Sequence, residues 1–155
     1  MGVAMTQHPE LFAAVSSEAP LLDMLRYHKL PAGASWIAEY GDPDKPQEAA
    51  YLRRYSPFHN LDPAKAYPEV LFMTSTKDDR VHPAHARKMA ARMADLQRPF
   101  LYFEHIEGGH APGANLKQRA EIEALRLAYF WEHLGPAPER AAPLQGIAPT
   151  ASPRP

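Results

Sequence analysis

Two short stretches concentrate the residues of this chain that could do chemistry. STKDDRVHP, residues 75 to 83, offers Asp78, Asp79, Arg80 and His82, and EGGHAPG, residues 107 to 113, offers His110 between glycines. A lone histidine in a glycine-rich turn has three readings: a catalytic base, a metal ligand or an ordinary turn residue. An aspartate nearby in space sharpens the choice. A carboxylate that accepts the imidazole Nδ1–H fixes the tautomer. It also stabilises the imidazolium formed when Nε2 takes a proton from a nucleophile. The competing reading makes Asp78 a helix-capping acid and His110 a turn residue.

The elements between these stretches decide whether they can meet. Residues 69–75, EVLFMTS, form a continuous apolar run, the mark of a strand buried on both faces. His82 and Pro83 open a helix to about Leu96, with Ala86, Met89, Ala90 and Met93 at helical spacing. FLYFEHI, residues 100–106, reads as a second strand. A last helix runs from about Asn115 to Leu134. Its Ala120, Ala124, Leu127, Ala128, Trp131 and Leu134 make one apolar stripe, expected to face the core, and Gly135-Pro136 stops it. Upstream, residues 1–8 read as the end of a helix and Leu11–Ser16 as a short strand. Leu21–Leu30 reads as a short helix, and Pro46–Tyr55 as another with proline in its first turn. Strand, helix, strand, helix with buried strands predicts an α/β fold, a parallel sheet with helices on both faces. In such sheets ligands sit beyond the carboxyl ends of the strands, where both loaded loops emerge. Aspartate after one strand and histidine after the next is also the order of the α/β-hydrolase triad: Ser, then Asp, then His.

Composition narrows the function classes. The chain has 155 residues, enough for one domain, and 45% are apolar. Its 17 basic and 18 acidic residues leave a formal charge of -1 and no basic block, so no nucleic-acid partner is expected. No apolar run approaches 18 residues and the first residues lack a signal-peptide pattern. No membrane partner is expected, and the expected compartment is the cytoplasm, with the periplasm as the alternative. With no cysteine, disulfides and thiolate metal sites are excluded. The eight histidines show no zinc spacing: His105 and His110 lack an H-E-x-x-H neighbour, and His82 and His85 have no acid on the right face. No metal and no cofactor are expected. Six of the 17 prolines fall within residues 136–155, which read as a Pro/Ala-rich disordered tail behind a domain of residues 1–135.

Several motifs in one order resemble the C-terminal half of the catalytic domain of prolyl oligopeptidase family serine peptidases, an α/β-hydrolase domain. They are TQHPELFAAV, LLDMLRYHKL, ASWIAEYGDPD, YSPFHNL, TSTKDDRVHPAHARKM and GGHAPGANLKQRAE, which together span Met1 to about Leu134. The resemblance implies that Asp78 is the triad aspartate and His110 the triad histidine. It implies that Arg80 binds the substrate's peptide carbonyl, and that Trp36 and Tyr40 line a pocket whose aromatic wall suits a proline ring. Glu18-Ala19-Pro20 departs from the apolar stretch usual beside that pocket, which favours broader peptide specificity.

The nucleophile is missing. The family's G-x-S-x-G-G elbow is nowhere among Ser16, Ser17, Ser35, Ser56, Ser75 and Ser152. Ser35 comes nearest, in Gly33-Ala34-Ser35-Trp36-Ile37, but Ile37 stands where the elbow needs glycine. The expectation is a fragment, begun at an internal methionine, that lacks an N-terminal portion with the β-propeller, the serine and the oxyanion donors. A short pseudo-enzyme is the competing account. Short peptides are the expected substrate, and the isolated chain is expected to be inactive. Its half-sheet should expose an edge prone to self-association. Two further classes stay open: a non-catalytic α/β module binding peptides or a partner, and an esterase or acylaminoacyl-type hydrolase.

Overall fold

The computed structural model describes residues 1–111 and 113–136, so the expected tail lies almost wholly outside the described residues. Three parallel strands form one sheet in the order β1 (Val15–Glu18), β2 (Val70–Ser75), β3 (Phe100–His105). Val15 pairs with Val70, and Val70 in turn with Phe100, so the register runs straight across the sheet. All six residues of β2 are buried, as its apolar run predicts. Alternation along β2 divides the core. Val70 and Phe72 face Met5 of α1 (Gly2–Gln7) together with Ala86, Met89 and Met93 of α4 (Ala84–Asp95). Leu71 and Met73 face Ile122 and Tyr129 of α5 (Leu116–Leu134). Helices therefore cover both faces, the α/β architecture the residue pattern requires. Met89 and Met93 are fully buried, each contributing about 2 kcal/mol through apolar area removed from water.

Four expectations are corrected. The first strand is Val15–Glu18 rather than Leu11–Ser16, because Pro9–Leu11 closes a 3-10 turn and leaves Leu11 exposed. Leu21–Leu30 is not a helix. The backbone N–H groups of Leu22 and Asp23 donate to His85 Nδ1, that of Met24 to Ser56 Oγ, and that of Leu25 to Asp23 Oδ1. Side chains thus replace the i−4 carbonyls a helix would use, and only Tyr27–Lys29 coils, as a 3-10 turn. The third correction concerns α5. Every member of its expected core stripe, from Ala120 to Leu134, is exposed, and Trp131 is 71% accessible. Ile122 and Tyr129 point to the sheet instead. β3 also differs from a fully buried strand: it ends at His105, and as an edge it leaves Leu101 half-exposed.

Between β1 and β2 the chain builds a smaller cluster from Met24, Tyr27 and Leu52, the last on α3 (Pro46–Tyr55). Trp36, Ile37 and Tyr40 pack against it from a 3-10 turn (Gly33–Trp36) that runs into α2 (Ile37–Tyr40). Gly33 permits this approach: a Cβ there would fall 1.8 Å from the Tyr27 carbonyl oxygen. The Tyr27 hydroxyl donates to the Gly41 carbonyl at 2.6 Å, tying the end of α2 back to the Tyr27 turn.

A buried polar network couples this region to α4. The Asp23 carboxylate is 1% exposed; Lys88 donates to one of its oxygens and His59 Nδ1 lies 3.8 Å from the other. Burial lowers the His85 pKa from 6.5 to about 4, against the opposing pull of Asp23. The unfolded imidazole takes a proton near its ordinary pKa and the folded one does not until about pH 4. The unfolded state is therefore favoured progressively as pH falls through that window, by about 3 kcal/mol in total. Urea midpoints measured between pH 7 and pH 4 should fall accordingly, and His85→Gln should flatten that slope; an unchanged slope would remove His85 as its source.

Candidate active site

Parallel pairing brings the two loaded loops side by side, because β2 and β3 end at the same edge of the sheet. The Thr76 N–H donates to the His105 carbonyl at 3.0 Å, and Ser75 Oγ donates to the Gly108 carbonyl at 2.9 Å. Across this join His110 Nδ1 lies 3.0 Å from Asp78 Oδ2 and 3.2 Å from Oδ1. The Asp78 side chain is 1% exposed and that of His110 is 37% exposed. Asp78 Oδ1 also accepts the N–H groups of Arg80, at 3.0 Å, and Val81, at 2.8 Å. The carboxylate is thus held by two backbone N–H groups before it orients the imidazole. The arrangement suits one chemistry: Nδ1–H donates to Asp78, Nε2 is left as the base, and the ring edge stays open to a reacting group.

The turn that carries His110 depends on one of its glycines more than the other. Gly108 has φ +89°, and a Cβ on it would lie 3.2 Å from the Ala114 nitrogen and the Gly113 carbonyl carbon. A Cβ on Gly109 would meet nothing nearer than 3.8 Å. Gly108→Ala should therefore cost about 1–3 kcal/mol in a urea titration, and Gly109→Ala well under 1 kcal/mol. Equal costs would contradict this account of the loop.

The remaining residues singled out in the sequence fall as follows. Arg80 and His110 line one cleft with Ala32, Asp79 and Ala111. Among the described residues nothing accepts from or pairs with the Arg80 guanidinium. Trp36 and Tyr40 do not line this cleft. They lie on the segment that starts at Ala32, half-buried against the Tyr27 cluster, and the Tyr40 ring meets Tyr27 edge-on at 5.8 Å. His82 holds the start of α4, its Nδ1 accepting the Ala84 N–H at 3.1 Å. Asp79, expected to accept a loop hydrogen bond, finds no partner among the described residues.

No serine among the described residues completes the pair. The hydroxyls of Ser35 and Ser75 donate to the carbonyls of Ala32 and Gly108, and that of Ser56 contacts the Leu22 carbonyl and His59. Ser16 Oγ bonds Glu18. His110 Nε2 has no hydroxyl partner among the described residues. Sequence reasoning missed the Asp23–His85–Lys88 network that braces the loop before Trp36. Asp23 stands 62 residues from His85 and 65 from Lys88, and no local pattern joins it to them.

The chain is similar to known proteins. The chain is 55% identical over 134 residues to the uncharacterized peptidase y4nA of Sinorhizobium fredii, covering 86% of this chain and 18% of that protein. It is 38% identical over 139 residues to the prolyl endopeptidase of Elizabethkingia miricola, covering 87% and 20% respectively. Among solved structures, a post-proline cleaving enzyme from Rickettsia typhi superposes with a TM-score of 0.83 at 40% identity, over 86% of this chain and 19% of that one. The chain therefore spans about a fifth of the length of the relatives it matches. With residues 1–137 matching the family as a whole, this chain belongs to the prolyl oligopeptidase family of peptidases.

Proposed function

We propose that the chain supplies the acid and the base of a Ser-Asp-His peptidase triad that hydrolyses short peptides, with a preference for cleavage after proline. The observation that carries the reading is the Asp78–His110 contact: a buried carboxylate gripping Nδ1 of an accessible imidazole at the carboxyl edge of a parallel sheet. In the reaction His110 Nε2 takes the proton of a serine hydroxyl as that oxygen attacks the peptide carbonyl, then returns it to the leaving amine. Asp78 keeps Nδ1 protonated throughout. Arg80, beside His110 and with no partner for its guanidinium among the described residues, is positioned to donate to a substrate carbonyl. Trp36 and Tyr40 supply aromatic surface for a proline ring.

The serine and the oxyanion donors come from a nucleophile-bearing portion like that of the longer relatives. Two surfaces support such a partner: β1 has no neighbour on its outer edge among the described residues, and the apolar stripe of α5 is uncovered. By itself the chain should turn over peptides negligibly, since loss of the nucleophile in a triad protease costs about 10⁶ in turnover.

A fluorophosphonate, which labels only an activated serine, tests this. Mass spectrometry should find the isolated chain unmodified. Stoichiometric labelling at one serine, Ser35 above all, would show a self-sufficient hydrolase and overturn the reading.

A further inference from the structure

A second group of chemistry-bearing residues lies away from the Asp78–His110 pair, at the turn that ends α2. His28, Asp42 and Asp44 place one ligand atom each within 4.8 Å of one another. Two carboxylates alone would be a solvated acidic turn. The imidazole changes the argument. The His28 side chain is 6% exposed, yet neither ring nitrogen makes a hydrogen bond. Its Nε2 approaches Asp44 Oδ2 to 3.2 Å, without hydrogen-bond geometry. A buried polar group without a well-formed hydrogen bond costs about 1–3 kcal/mol, so the misaligned approach of Asp44 leaves this imidazole under-satisfied and open to a better partner.

We propose that His28, Asp42 and Asp44 form a binding site for a divalent transition-metal ion, with Zn²⁺ as the natural probe. Imidazole nitrogen with two carboxylate oxygens is a donor set suited to Zn²⁺, and a water completes four-coordination. Tetrahedral donors about 2.0–2.1 Å from the metal stand about 3.3 Å from one another; His28 Nε2 and Asp44 Oδ2 are already 3.2 Å apart, and with all three ligand atoms within 4.8 Å the Asp42 oxygen need close by at most about 1.5 Å. Asp42 is already oriented: its Oδ1 accepts the Asp44 N–H at 3.0 Å, which leaves Oδ2 for the metal. Lys29 Nζ, 3.1 Å from Asp44 Oδ1, is the competing cation, and its exposed side chain can swing into solvent. His28-x₁₃-Asp42-x-Asp44 matches no standard zinc spacing, which is why the sequence pointed to no metal.

The site would act as a clamp. It would join the Tyr27–Lys29 turn to residues 41–44 around the segment bearing Trp36 and Tyr40, in parallel with the Tyr27–Gly41 hydrogen bond. Metal binding would then rigidify the aromatic segment without touching the Asp78–His110 pair.

Isothermal titration of ZnCl₂ into the whole chain tests the proposal, alongside His28→Gln and Asp44→Asn. One equivalent should bind, and either substitution should weaken that event by about tenfold or more. Asp44→Asn alters an exposed side chain and decides the matter even if His28→Gln fails to fold. Three results would overturn the proposal: no uptake by the unaltered chain, uptake unchanged in Asp44→Asn, or displacement of Zn²⁺ by equimolar Mg²⁺ or Ca²⁺. The second would reassign the metal to other histidines. The third would mark a site for hard oxygen-seeking cations.

Discussion

In a chimera that carries residues 1–135 of this chain in place of the matching segment of the Sinorhizobium fredii relative, Asp78→Asn should lower kcat on a peptide substrate by about 10⁴. The geometry explains the size of the effect. Asp78 is buried, and its carboxylate is the group facing Nδ1 of His110. Asparagine keeps the volume and can still accept the Arg80 and Val81 N–H groups through its amide oxygen. Its NH₂ group, turned to His110, favours the tautomer with the proton on Nε2, where a base must be free. Binding should survive, so KM should change little. His110→Ala removes the base itself and should cost about 10⁶. The comparison is informative because the aspartate acts only through the histidine: the double variant should be no slower than His110→Ala. A chimera active without Asp78, at a tenth or more of the parent rate, would dismiss this aspartate from the mechanism.

The second large effect concerns stability. Lys88→Met should destabilise the fold by about 3–5 kcal/mol, visible as a lower urea midpoint with an unchanged slope. Asp23 is 1% exposed, and Lys88 is the cation that reaches its outer oxygen. Methionine fills the space of the lysine stem, including its contact with the Phe58 ring, over which Nζ sits at 4.6 Å. Packing is then nearly conserved, and the loss isolates the charge left buried. The converse control is Asp23→Asn with Lys88→Met, which removes both charges and should recover much of the loss. If Lys88→Met alone were neutral, His59 and the Leu25 N–H would have to satisfy the carboxylate unaided.

What could be read in advance followed physical locality. The β2 run, the α4 periodicity and the Asp78 and His110 loops each declare themselves within a dozen residues. Parallel pairing then brings the two loops together without further information. Leu21–Leu30 misled because its apolar residues have helical spacing while its N–H groups are claimed by His85 and Ser56, distant in sequence. The α5 stripe misled for a different reason. Periodicity shows that a helix has an apolar face, not that something in the same chain covers it, and here Trp131, Leu127 and Leu134 are exposed. Trp36 and Tyr40 were found by resemblance; their residue types alone fit the small Tyr27 core equally well, and the structure places them against it.

The Tyr129 hydroxyl sits at the amino end of the sheet, where it accepts the Val15 N–H at 2.8 Å and donates to the Glu69 carbonyl at 2.5 Å. Those two backbone groups stand at the threshold of the β1–β2 ladder, so a phenol oxygen takes the place of a rung. Burial raises the phenol's pKa, which keeps its proton available for the second bond. The hydroxyl thus bridges the first residue of β1 to the residue before β2, beside the Val15–Val70 pair. The helix α5 is therefore stitched to the foot of the sheet, holding the starts of β1 and β2 through one side chain at the end opposite the Asp78 loop.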